Sequence, residues 1–206
     1  MTSNSLEDVA IRVAAALGED ECVLIGGLAV GAHGYVRATT DVDFVVRDLD
    51  AATKRLREQG LPVERFRGGF TCLRGMLGDV RFDVLPPLVP IQWDRAITVS
   101  LGEGATIRVV DLEGLIRLKL KAGGPKDLMD IAALVLRHPE HQERAQELAV
   151  AYRIRDKLDI WLRDPRLKAE LADARSEETE RRRRGEPPIP PTLARRAKKK
   201  VDRNRK

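Results

Sequence analysis

The sequence predicts an α+β protein in three parts: a core over residues 1–110, a helical region over 111–175 and a basic tail over 176–206. Three observations carry this. Short β-branched or wholly apolar runs alternate with helical patterns as far as Val110, the pattern turns helical from Asp111, and beyond Ser176 charge and proline displace apolar residues. With 43% hydrophobic residues, the 206-residue chain has material for one good core, which excludes a wholly disordered protein.

Ser5 is an N-cap for a helix to Leu17, with Glu7 and Asp8 in its first turn, Leu6, Val9, Ala10, Val13 and Leu17 on one face, and Gly18 at its end. Cys22-Val23-Leu24-Ile25 is apolar throughout, as a buried strand is, and Gly26-Gly27 leads from it into the helix-like Leu28–His33. Val42–Val46 is a second strand, and Ala51–Gln59 a helix stopped by Gly60 and Pro62. Phe70–Leu73, Val80–Leu85, Ile97–Leu101 and Thr106–Val110 read as hairpin and edge strands. Asp111 is placed to cap a helix over Leu112–Lys121, Gly123-Gly124-Pro125 separates it from Lys126–Leu136, and further helices run over Pro139–Leu162 and from Pro165. There is no internal repeat.

The formal charge of +5 is unevenly spread. Arg175–Lys206 holds 13 basic and 5 acidic residues, whereas the rest of the chain is net −3, so a mildly acidic body carries a basic tail. With few apolar residues to bury, that tail is expected to be disordered or extended. No apolar run approaches the roughly 20 residues of a membrane span. Met1–Asp8 lacks the basic start and apolar stretch of a signal peptide, so a cytoplasmic protein without membrane partners is expected. Cys22 and Cys72 make neither a disulfide framework nor a zinc site and read as small buried hydrophobes.

The chemistry concentrates in Ile25-Gly26-Gly27-Leu28-Ala29-Val30 and Thr40-Asp41-Val42-Asp43-Phe44-Val45. Asp41 and Asp43 are two apart in a strand and face one side of the sheet. Two adjacent carboxylates raise each other's pKa unless a cation lies between them, and an all-oxygen pair suits Mg²⁺ or Mn²⁺ with water and phosphate as the other ligands. Gly26-Gly27 before a helix lets backbone N–H groups approach an anion closely. A phosphate cradle beside a carboxylate pair is equipment for metal-assisted phosphoryl or nucleotidyl transfer.

The string from Gly26-Gly27 through Asp41-Val42-Asp43 resembles the signature of the nucleotidyltransferase-fold superfamily, the group akin to DNA polymerase beta. In full, Gly26-Gly27-Leu28-Ala29-Val30-Gly31-Ala32-His33-Gly34-Tyr35-Val36-Arg37-Ala38-Thr39-Thr40-Asp41-Val42-Asp43 looks most like AbiEii-type toxins and related bacterial nucleotidyltransferases. Leu115-Ile116-Arg117-Leu118-Lys119-Leu120-Lys121-Ala122 and Pro125-Lys126-Asp127-Leu128-Met129-Asp130-Ile131 are similar to later helical motifs of that group, so the likeness spans about residues 5–137.

The resemblance implies a small mixed sheet flanked by helices, an NTP substrate held at Gly26 and Gly27, and one or two Mg²⁺ (or Mn²⁺) ions on Asp41 and Asp43. Asp83 fits the position of a third carboxylate, as ligand to a second metal or base for the attacking hydroxyl, with Asp79 as the fallback. Arg37 and Thr39, in the loop before the carboxylates, are candidates to touch phosphates. Lys119 either neutralises a triphosphate oxygen or is one polar position on an amphipathic helix, with Lys121 a weaker candidate. Asp127 resembles the acidic residue of the last motif, and Asp130 lies one turn along; with Lys126 they read equally as a solvated face. His33 reads as structural. Much of the superfamily has Gly-Ser where this chain has Gly26-Gly27, so Gly27 leaves backbone donors in place of a hydroxyl contact.

The activity implied is transfer of NMP from ATP, GTP, CTP or UTP to a hydroxyl, with an RNA, above all a tRNA 3′ end, as acceptor in a toxin–antitoxin or phage-defence setting. Tail residues 176–206 would dock RNA phosphates, and a cognate antitoxin is a further partner. The competing readings are transfer to a protein or antibiotic hydroxyl, a non-catalytic nucleotide- or nucleic-acid-binding module, and a partner-binding role for the helices between Pro139 and Asp173.

Overall fold

The computed structural model describes residues 5–101, 105–184 and 195–196. The elements follow in the order α1 (Leu6–Leu17), β1 (Cys22–Ile25), α2 (Gly26–Ala32), β2 (Ala38–Thr39), β3 (Asp41–Val46), α3 (Leu49–Glu58), β4 (Val63–Arg67), β5 (Thr71–Leu77), β6 (Val80–Leu85), β7 (Ile97–Ser100), β8 (Thr106–Val109), α4 (Leu112–Ala122), α5 (Pro125–Arg137), α6 (Gln142–Ala151), α7 (Arg155–Arg163), α8 (Pro165–Arg183) and β9 (Arg195–Arg196).

Seven strands form one sheet in the order β4-β5-β6-β3-β1-β8-β7. The β3–β6 and β1–β8 pairs are parallel and the others antiparallel, so the sheet is mixed, as expected. Every residue of β1 is buried, with α1 and α2 both packed on it, which is why the sequence there is apolar without alternation. Leu115 and Ile116 of α4 and Ile131 and Leu134 of α5 lie in the same hydrophobic cluster as Leu24, Phe44 and Phe82 of the sheet.

The expected cap of α1 is present. The Ser5 hydroxyl accepts from the Asp8 N–H and the Asp8 carboxylate accepts from the Ser5 N–H, both at 3.0 Å. Asp111 precedes α4, but its side chain makes no capping bond; Oδ2 lies 3.8 Å from the Arg95 guanidinium instead. Cys22 and Cys72 are both buried, and burial pushes the Cys22 thiol up to about 12.

The helices expected over Pro139–Leu162 are α6 and α7, parted at Tyr152–Ile154, where Arg153 has φ 57°. Two expectations need correction. β4 falls in a stretch to which the sequence assigns no element, because four of its five residues are exposed and an edge strand carries little apolar signal. The tail expected to be disordered or extended from residue 176 is helical as far as Arg183. Leu167 and Leu171 anchor α8 in the core, and Glu177 and Glu180 stand four residues before Arg181 and Arg184, the favourable order for helix charge pairs. β9 pairs with β2, and the other tail residues, 185–194 and 197–206, lie outside the described residues. Among the described residues, no helix is long and apolar enough to cross a membrane.

Gly75 of β5 lies opposite Phe82 of β6, and a Cβ added there would sit 2.2 Å from Cζ of that fully buried ring. Gly75→Ala is therefore expected to cost about 1–3 kcal/mol. In a thermal melt this reads as a fall of roughly 2–12 °C.

Candidate active site

Strand register assembles the carboxylates. In the parallel β3–β6 pair, Asp43 stands beside Asp83 and Asp41 beside Arg81, so all four side chains share one face of the sheet. Asp43 is partly buried, and burial, then the charges of Asp41 and Asp83, push its carboxyl up to about 7. Lys119 and Arg81 act on it in the opposite direction.

Gly26, where β1 passes into α2, has φ 68°. A Cβ there would sit 2.1 Å from Oδ2 of Asp43, so the bare Cα is what allows the carboxylate to lie against the strand–helix turn. At Gly27 an added Cβ would lie 2.6 Å from Oγ1 of Thr39. The space a serine would need is thus filled by a threonine hydroxyl, which donates to Oδ1 of Asp41 at 3.1 Å.

Arg37 lies next to this turn, its Nη1 3.3 Å from the same point, but its guanidinium is already engaged. Nε and Nη2 donate to the two oxygens of Asp130 at 2.5 and 2.6 Å, and Nη1 donates to the Ala38 carbonyl. Lys119 is buried between Asp127, at 3.0 Å, and Asp130, at 2.7 Å. Asp130 is fully buried rather than solvated, and the four charges of this network cancel. Asp127 also accepts from the Gly124 N–H at the start of α5 and belongs to the network rather than to the carboxylate trio.

Several residues fall outside the site. Asp79 lies in the β5–β6 turn and Lys121 is exposed on the last turn of α4. His33 is engaged by the fold: its Nε2 meets the Val110 carbonyl at 2.8 Å, and burial lowers its pKa.

Two arginines that the sequence reading did not single out complete the arrangement. Arg74 of β5 donates Nε and Nη2 to the two oxygens of Asp83, at 2.8 and 3.0 Å. Arg81 donates Nη2 to Asp41, while its Nε, buried without a hydrogen bond, lies 3.7 Å from Asp83. Only the register of three strands brings these pairs together, so no local pattern could have revealed them.

Solved structures share this architecture. The antibiotic-resistance factor ANT(2″)-Ia, crystallised in complex with adenylyl-2″-tobramycin, matches with a TM-score of 0.52 at 15% identity, over 70% of this chain and 94% of its own. Its solution structure matches with a TM-score of 0.52 at 18% identity, over 71% and 90%. This chain has the nucleotidyltransferase fold. No protein-family model and no curated protein matches its sequence.

Within the nucleotidyltransferase fold the donor set admits a hard divalent cation at Asp41 and Asp43. Burial first, and then the neighbouring charges of Asp41 and Asp83, raise the Asp43 carboxyl, and a cation would offset the second of these. Among the described residues, no cluster of three or more His, Cys, Asp or Glu side chains is gathered as a ready cage. Arg74 and Arg81 hold Asp83 and Asp41, and Asp83 can serve a metal only through lone pairs that Arg74 leaves open. A cation on Asp41 therefore competes with Arg81. Arg81→Gln is expected to tighten Mn²⁺ binding roughly fivefold, the upper range for a half-exposed ion pair. Calorimetry without nucleotide checks this.

Proposed function

We propose that the protein is a Mg²⁺-dependent nucleotidyltransferase that moves NMP from an NTP to a hydroxyl, releasing pyrophosphate. The observation that supports it best is the trio Asp41, Asp43 and Asp83, set by the β3–β6 register against the Gly26–Gly27 turn of a nucleotidyltransferase fold.

The metal, Mg²⁺ or Mn²⁺, would be held by Asp41 and Asp43 and would offset charge on the phosphates. The backbone of Gly26 and Gly27 and the hydroxyl of Thr39 would line the triphosphate side; Arg37 lies beside that turn and Lys119 acts on Asp43, while Asp130 holds both cations. The acceptor oxygen attacks the α-phosphorus, a P–O bond forms, and the bond to the β-phosphate oxygen breaks. Asp83, on the strand away from that turn, would take the hydroxyl proton through a lone pair that Arg74 leaves open, and the electron pair would leave with pyrophosphate.

The acceptor in this proposal is an RNA 3′ end, a tRNA above all, in a toxin–antitoxin or phage-defence setting where a cognate antitoxin would restrain the enzyme. A small-molecule hydroxyl is the second reading, because the fold-related ANT(2″)-Ia was solved with an adenylylated antibiotic. Incubation with Mg²⁺, each α-labelled NTP and total RNA, tobramycin or protein as acceptor separates these. Label is expected in RNA and absent with Asp41→Ala or Asp43→Ala; label that persists in those variants refutes the assignment.

A further inference from the structure

The carboxylate face continues outward across the sheet. In the antiparallel β5–β6 pair Arg74 stands beside Asp83 and Met76 beside Arg81, and in the β4–β5 pair Glu64 stands beside Arg74 and Phe66 beside Cys72. Directly paired residues share a face, so Phe66, Arg74, Met76 and Arg81 lie on the same side as Asp41, Asp43 and Asp83. The Arg74 guanidinium lies 4.5 Å over the Phe66 ring, which links this shelf to the trio through Asp83. Phe66 and Met76 are 48% and 52% exposed, large apolar side chains open to solvent beside a polar site. Among the described residues, Nη1 of Arg74 and Nη1 of Arg81 make no hydrogen bond, and both guanidinium groups are partly exposed.

We propose that this shelf is the binding site for the end of a single-stranded RNA, with a base stacked at Phe66 and Met76 and its phosphates met by Arg74 and Arg81. Two arguments select this occupant. An aromatic ring interleaved with guanidinium groups suits stacked bases joined by phosphates. Position agrees as well. The Gly26–Gly27 turn occupies the β1 side of the trio, leaving the β6–β5–β4 side for the acceptor. Two strand spacings, about 10 Å, separate β6 from β4, so an end whose hydroxyl reaches Asp83 lays a preceding base at the β4 edge. An A-form duplex has no unstacked base to offer and is expected to bind less well.

The inference rests on the transferase reading for which end of the RNA enters, but binding to the shelf requires neither NTP nor metal. The full chain is titrated in EDTA into a fluorescent single-stranded oligoribonucleotide with a free 3′ hydroxyl, with a duplex of the same length alongside. Phe66→Ala is expected to weaken single-strand binding roughly 5- to 100-fold and Phe66→Trp to restore it. Arg81→Gln is expected to lower the salt slope by about 0.7. Phe66 is half exposed on an edge strand, so unchanged circular dichroism is expected in these variants. Equal affinity of wild type and Phe66→Ala, or a duplex bound as tightly as the single strand, overturns the proposal. An RNA effect without NTP turnover on any acceptor refutes the transferase reading and leaves the shelf; turnover with Phe66→Ala indifferent does the reverse.

Discussion

Asp43→Asn is expected to slow transfer by orders of magnitude and, in metal-free protein, to raise stability at pH 8. The Asp43 carboxyl is pushed from 3.8 to about 7, first by burial and then by Asp41 and Asp83. Between those two values the folded chain keeps a proton that the unfolded chain releases. The resulting stabilisation is complete below pH 4 and is lost as pH rises through 7. Three pKa units correspond to about 4 kcal/mol as an upper estimate. Asn mimics the protonated acid and removes this slope. Urea unfolding in EDTA should show variant and wild type nearly equal at pH 4, with the variant ahead by a few kcal/mol at pH 8. Parallel pH profiles would contradict the crowding on which the proposed metal site rests. Activity should move the other way, with turnover down roughly 10³-fold, because the charge that costs stability is the charge that would recruit the metal.

The second large effect is expected at Asp130. Both of its oxygens are bound by Arg37, and Lys119 lies 2.7 Å away, with side-chain exposures of 11% for Arg37 and 8% for Lys119. Asp130→Ala leaves two buried cations without their shared partner, at a cost of about 3–5 kcal/mol. The damage reaches the site, because Arg37 begins the segment that places Thr39 and Asp41. Nucleotide affinity should therefore fall with stability. Asp127→Ala is the contrast: that side chain is 25% exposed and contacts only one of the two cations, so about 1 kcal/mol is expected. Chemical denaturation of the two variants side by side checks the difference, and equal losses would show that the network is not centred on Asp130.

How far the sequence reveals this molecule depends on where each signal lies. The turn from β1 into α2 and the pair on β3 are local, so Gly26, Gly27, Asp41 and Asp43 are legible as a unit. The capping box at Ser5 is equally local. Asp83 is legible as a position, but its pairing with Arg74 is a fact of register. Asp130 was open to reading, since it stands in Leu128-Met129-Asp130-Ile131-Ala132, where a lone charge among apolar residues on a helix points inward. Lys119 reads equally as a phosphate partner and as one polar position on an amphipathic helix; its two carboxylate partners come from α5 and cannot be seen from α4 alone. The role of Thr39 in filling the space beside Gly27 needs the loop's three-dimensional path.

The central claim is that the α-phosphorus, rather than the γ-phosphorus, is the reacting centre at Asp41 and Asp43. Parallel reactions with α-labelled and γ-labelled NTP, Mg²⁺ and RNA test it directly. Label is expected to enter RNA from the α position only, with the γ label recovered in pyrophosphate and both signals lost in Asp41→Ala. Label entering the acceptor from the γ position, or incorporation undiminished in Asp41→Ala, would contradict the account.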